Sequence, residues 1–233
     1  MSLGPALLSG QTVRNGAPPD AIVLWDGGAL CRFVSANGEP LNWKRVDEKL
    51  ISTPNGRRSN NAISDVMFED AEIHLEFQLP KSGSGNSGVF IHGVYELQIL
   101  GSEGKDSVEA SDMGGLYSIA APLCNAAAPR EEWQAYDIRF VAPRRDAQGS
   151  LIKAGAMTVR LNGVLIHQAT PLGDRESRYN PYRYDATEYM RELERRQLAT
   201  GEGSLMLQDH DEPIAFRNIW LRRIPAGDAT VEP

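Results

Sequence analysis

The 233-residue chain carries a net charge of −7, with 41% hydrophobic and 24% charged residues, the composition of an ordinary globular protein. That balance disfavours a nucleic-acid partner, because the short Arg57-Arg58, Arg144-Arg145 and Arg195-Arg196 pairs lie near acids and form no continuous stripe against phosphates. No run approaches the roughly 18 apolar residues of a membrane span, and Met1-Ser2-Leu3-Gly4 lacks the charged-then-apolar pattern of a secretory leader, so a periplasmic or secreted location follows only if a leader has been removed, and a cytoplasmic one otherwise.

In chain order, residues 1–20 read as an extension, 21–225 as one domain and 226–233 as a tail. Cys31 and Cys124 are the only cysteines, too few for a disulfide framework or a cysteine zinc site, and are expected as two buried thiols. From Ala71 to Leu79, Ile73, Leu75, Phe77 and Leu79 alternate with Glu72, His74, Glu76 and Gln78, the period of two of a half-buried strand. Lys81 to Gly88 is a turn-rich joint. Alternation returns in Tyr95–Ile99, Tyr136–Phe140, Met157–Leu161 and Leu205–Leu207, and Asn162-Gly163 marks a tight hairpin. Strands that each bury one face must pack against another sheet, as a sandwich or barrel. Residues 174–202 break this rhythm: Tyr179, Tyr182 and Tyr184 precede a stretch in which Asp185 is expected to cap a helix over 185–198 packed through Met190, Leu193 and Tyr189. A long connection with its own structure points to a lid, a binding loop or an assembly surface.

Familiar catalytic motifs are missing: there is no Walker loop, G-x-S-x-G, H-E-x-x-H or paired C-x-x-C. The glycines of Gly83 to Gly88 outline a nucleotide loop, but no helix follows them. The remaining candidates are polar strand residues. His92, Glu96 and Gln98 have the parity to share one face if no bulge intervenes. Gln208 and His210 share a parity that turns Asp209 away. Carboxylate, amide and imidazole groups on one sheet face suit sugar hydroxyls, which both donate and accept hydrogen bonds.

Leu24-Trp25-Asp26-Gly27, Gly85-Asn86-Ser87-Gly88-Val89-Phe90, Tyr95-Glu96-Leu97-Gln98-Ile99-Leu100, Glu132-Trp133-Gln134-Ala135-Tyr136, Leu207-Gln208-Asp209-His210 and Phe216-Arg217-Asn218-Ile219-Trp220 occur in this order. The series resembles the 3-keto-disaccharide hydrolase domain family over about residues 22–224. The chain departs from the family's pattern at Glu48 and Asp211, where glycine is usual, at His92, commonly arginine, and at Gly101, usually aspartate; its 174–202 segment is also longer. The resemblance implies an all-β, concanavalin A-like jelly-roll sandwich of two antiparallel sheets, carrying the helical insertion.

It also implies work on 3-keto-glycosides or disaccharides. A ketone at C3 acidifies the C2 proton, so a base can remove it and expel the C1 substituent, with possible rehydration. That route needs a base, an electrophile at the enolate oxygen and a donor to the leaving oxygen. The expected catalytic residues are Glu96, His210 and His92. Gln98, Gln208, Tyr117, Arg139 and Glu76 are expected to hold or orient the saccharide, and a divalent metal, if used, would sit on Glu96 and His210. An ordinary glycosidase would instead need two carboxylates, with Glu76 and Glu96 as the pair. A non-catalytic, lectin-like module stacking sugars on Tyr179, Tyr182 and Tyr184 is the alternative.

Overall fold

The computed structural model describes residues 16–53, 60–146, 148–174, 176–184, 186–225 and 227–229. In chain order the strands are β1 (Ile22–Trp25), β2 (Phe33–Val34), β3 (Lys44–Val46), β4 (Lys49–Ile51), β5 (Ala62–Phe68), β6 (Ala71–Gln78), β7 (Ser87–Ile91), β8 (Tyr95–Ile99), β9 (Trp133–Val141), β10 (Arg144–Arg145), β11 (Leu151–Lys153), β12 (Gly155–Leu161), β13 (Val164–Leu172), β14 (Gly203–Leu207) and β15 (Ala215–Arg223). Two helices, α1 (Pro181–Tyr184) and α2 (Glu188–Thr200), lie between β13 and β14. An eight-stranded sheet runs β13-β12-β9-β6-β15-β4-β3, with β1 also on β15, and a five-stranded sheet runs β2-β5-β14-β7-β8. β10 and β11 form a separate hairpin. The pairings within both sheets are antiparallel, and together the sheets make the expected jelly-roll sandwich.

The alternating residues do what their period requires. Ile73, Leu75 and Phe77 of β6 and Tyr136, Ile138 and Phe140 of β9 face Val89 and Ile91 of β7 and Tyr95, Leu97 and Ile99 of β8 in one continuous core. Asn162 and Gly163 both take the left-handed backbone, φ 54° and 81°, which a two-residue hairpin between twisted strands needs.

A second apolar cluster explains why the five-stranded sheet alternates poorly in sequence. Ile63, Met67, Phe90 and Met206 point out of that sheet and are covered by Tyr182, Met190 and Leu193 of the helical insertion. Strands β7, β8 and β14 are consequently buried along their whole length. The helix begins later than expected. Thr187, not Asp185, is its cap, with the Thr187 hydroxyl accepting the Met190 amide at 3.1 Å; Asp185 lies outside the described residues, as do Arg57-Arg58 and residues 1–15. Gly201, φ 76°, ends the helix and donates its amide to Gln197, the usual use of a left-handed residue at a helix C-terminus. Both cysteines are free thiols as expected, but they are not both buried: Cys31 is half-buried and Cys124 is exposed on an irregular connection.

Candidate functional site

The candidate site lies on the outer face of the five-stranded sheet, where α1 borders it. Gly88 on β7 is its geometric centre. Gly88 is registered against Gln98 of β8, and its carbonyl accepts the amide of Gln208 just beyond β14. Two residues further along, Phe90 is registered against Glu96 and Met206. The Glu96 side chain reaches over Gly88: a Cβ added there would lie 2.5 Å from Glu96 Oε1. Glycine at 88 therefore supplies the space that the carboxyl occupies.

Glu96 is only 3% exposed. Burial, with no compensating cation, raises its carboxyl to about 8. Around it, Glu96 Oε2, Gln98 Oε1, Gln208 Oε1 and Asp209 Oδ2 are all buried without a hydrogen-bond partner. Leaving one buried acceptor unmade costs about 1–3 kcal/mol, which makes these four acceptors the candidate contacts for a ligand rich in donors. Burial also raises the Asp209 carboxyl. The adjoining pocket is lined by Asn61, Phe90, Gln208, Asp209 and His210 from the sheet and its margin and by Tyr179, Pro181 and Tyr184 from the insertion. The Glu96 strand is held to the insertion, its amide donating to Ser177 Oγ at 2.8 Å, and its carbonyl accepts the Tyr117 amide at 2.9 Å. The Tyr117 ring stands 6.1 Å from Tyr179, which stands 5.2 Å from Tyr184.

Glu96, Gln98, Gln208 and Tyr117 thus lie near one another around Gly88 and the Glu96 backbone, and Gln208 shares the adjoining pocket with exposed His210. Three expected site residues lie elsewhere. His92 takes a left-handed backbone, φ 58°, which breaks the strand parity and turns its imidazole into the inter-sheet core. There it bonds the Phe68 carbonyl at 2.7 Å, lies 4.7 Å from the Phe140 ring, and is pushed down to about 4 by burial. Arg139 and Glu76 belong to the eight-stranded sheet. Arg139 pairs with Glu72 and the Asp228 carbonyl. Glu76 lies on the outer face of that sheet, so the whole core separates it from Glu96 and the two cannot act as one carboxylate pair.

Glu76 is instead part of a buried ionic network. Arg217 Nε donates to it at 2.6 Å and Arg217 Nη1 to Glu48 at 2.8 Å, while the guanidinium lies 3.9 Å from the Trp133 ring. Asn218 also donates to Glu76, and His74 bonds Asp137 at 2.7 Å and stacks on Trp220.

Two site residues escaped the sequence reading. Asp209 was expected to point away, but β14 ends at Leu207, so strand parity no longer governs 208–210, and Asp209 lines the pocket. Asn61 lines it too and accepts the Asp209 amide at 2.9 Å; it precedes β5, whose two covered faces give no alternation to read. On the metal expectation at Glu96 and His210, no three His, Cys, Asp or Glu side chains gather among the described residues where they could hold an ion.

Residues 20–222 match the family of the 3-keto-alpha-glucoside-1,2-lyase-like domain. No curated protein sequence matches the chain. Among solved structures, a candidate glycosyl hydrolase from Parabacteroides distasonis aligns at 29% identity and TM-score 0.75, over 96% of this chain and 93% of that one. Two more candidate glycosyl hydrolases from the same organism share the fold: one at 14% identity and TM-score 0.59, over 88% of this chain and 94% of that one, the other at 18% and 0.51, over 82% and 99%.

Proposed function

Because the chain belongs to the 3-keto-alpha-glucoside-1,2-lyase-like domain family, we propose that it is a carbohydrate-active enzyme that cleaves 3-keto-glycosides by elimination across C1 and C2. The observation that carries this reading is the desolvated Glu96 carboxyl, held at about 8 with one oxygen unpartnered among the unpartnered amide oxygens of Gln98 and Gln208.

A general base works best with a pKa near the operating pH. A carboxyl at about 8 is a far stronger base than an ordinary carboxylate, and roughly one molecule in ten carries it ionised at pH 7. In the proposed step Glu96 takes the C2 proton, and the electron pair delocalises onto the C3 carbonyl oxygen. It then returns to form the C1–C2 double bond as the C1–O bond breaks. The departing oxygen receives a proton, assigned to His210 at the rim, and the products are an unsaturated keto-sugar and the freed alcohol. Gln98 and Gln208 would engage the sugar's hydroxyls and the developing enolate oxygen, because primary amides both donate and accept. Water adding across the double bond would complete a net hydrolysis.

This reading is tested by mixing the protein with a 3-keto-glucoside and with its unoxidised parent, and following release of the C1 substituent. Release from the keto compound alone is expected. Equal release from the parent would overturn elimination in favour of a two-carboxylate hydrolysis, for which Glu96 and Asp209 are the carboxyls present. A second reading, saccharide binding without chemistry, is favoured by one observation: the Tyr184 ring is 57% exposed at the pocket lip. Saccharide binding that survives with no release from either compound would establish it.

A further inference from the structure

The pocket has two unlike walls. The sheet side presents Gln208, Asp209 and His210, and the Glu96 carboxyl stands beside them over Gly88. The opposite side, supplied largely by the 174–202 insertion, presents ring faces: Tyr179, Pro181 and Tyr184, with Phe90 rising from the sheet between them. The Tyr179 ring is inclined 44° to both Tyr117 and Tyr184, so the three make a bent aromatic trough.

On the elimination reading, the oxidised ring must bring C2 to Glu96, and its hydroxyls answer the unpartnered oxygens of the sheet. The group leaving C1 is one bond further on and falls against the opposite wall. A sugar can stack on such rings, but of the side chains lining that wall only the phenols hydrogen-bond, and a pyranose carries several hydroxyls that each want a partner. The wall has much to offer a flat apolar face, since offset aromatic pairs at ring separations of roughly 4.5–7 Å are favourable beyond the area they bury. The exposed Tyr184 ring is an apolar surface left in water until such a ring covers it. From this geometry, and resting on the elimination reading, we infer that the aromatic trough is the leaving-group subsite and that the leaving group it selects is a phenol rather than a second sugar. A phenolate also departs with less proton assistance than an alkoxide, in keeping with the exposed rim position of His210, the group assigned to help it.

The test compares wild type, Tyr184→Ala and Tyr184→Phe on three 3-keto-glucosides whose C1 substituent is phenyl, methyl or a second glucose. Tyr184→Ala should lose roughly five- to tenfold more kcat/KM on the phenyl compound than on the methyl one, the size of one aromatic contact, and Tyr184→Phe should restore it. Equal losses on phenyl and methyl would overturn the subsite, and a larger loss on the disaccharide would overturn the choice of a phenol. A binding arm separates this inference from the reading beneath it. Wild type should bind unoxidised phenyl glucoside more tightly than methyl glucoside, and Tyr184→Ala should lose that difference. If it does while no keto compound is cleaved, the subsite stands and elimination falls; if the two glucosides bind alike in wild type, the subsite falls.

Discussion

Replacing Glu96 by Gln is expected to reduce kcat/KM for a 3-keto-glucoside by roughly 10²–10⁴-fold, the usual share of a positioned base, while saccharide binding survives because the amide fills the same space over Gly88. The pH profile carries the sharper signature. The ionised carboxyl is the active form, so kcat/KM in wild type should climb with pH and level off above about 8, the value to which burial raises Glu96; the residual activity of Glu96→Gln should lack that limb. Stability should move the opposite way. An acid whose folded pKa lies above its ordinary value of about 4.5 favours the folded state while protonated. Its contribution is intact below about 4.5 and is lost as pH rises through about 8. Wild type should therefore soften in mildly alkaline buffer, and Glu96→Gln should melt several degrees higher than wild type at pH 9. A variant that loses turnover yet stays as alkali-sensitive as wild type would show that the buried charge is not at Glu96.

The largest loss of stability is expected on the other sheet. Arg217→Met removes the cation that Glu76 and Glu48 share and the contact with Trp133. Stranding one partner of a buried ion pair costs about 3–5 kcal/mol, a fall in Tm of roughly 6–20 °C for a domain of this size. The folded fraction should retain turnover, since the inter-sheet core lies between this network and Glu96. The pH dependence has two edges. Burial alone would raise the Glu76 carboxyl, but bonds from His74, Asn218 and Arg217 outweigh it and hold it at about 2. That stabilisation is present above about 4.5 and disappears as pH falls through about 2. Burial alone would lower the His74 imidazole, but Asp137 and Glu76 raise it to about 9. Its share is complete below about 6.5 and is lost as pH rises through about 9. A loss below 1 kcal/mol in Arg217→Met, measured by denaturant titration at pH 6, would contradict this account.

How far the sequence discloses these features depends on how many faces of a strand are wet or polar. Strand β6 is legible because Glu72, His74, Glu76 and Gln78 all leave the core on one side, even though His74 and Glu76 end up buried in their own network. Alternation identifies a face but not the sheet it belongs to. That is why Glu76 and Arg139 looked as good as Glu96, and only strand order separates them. Strands β7, β8 and β14 are covered on both sides and give weaker patterns; Glu96, Gln98 and Gln208 emerge there from parity together with the family resemblance. Parity fails where the backbone leaves the strand: at His92, with φ 58°, and at Asp209, past the end of β14.

The departures from the family pattern find local explanations. Asp211, where glycine is usual, has φ 64°, a backbone region that glycine enters without strain. At Gly101, where aspartate is usual, a Cβ would lie 2.0 Å from an Arg130 guanidinium nitrogen, so Arg130 occupies the room that side chain would need. Glu48, a third departure, gives its carboxylate to Arg217.

The most direct test of the central claim, that Glu96 removes the C2 proton of a 3-keto-sugar, is a comparison of turnover for a 3-keto-glucoside carrying hydrogen or deuterium at C2. A clear slowing with deuterium, together with loss of turnover in Glu96→Gln, is the predicted result. Equal rates for the two isotopologues when chemistry limits turnover, or an undiminished rate in Glu96→Gln, would contradict it.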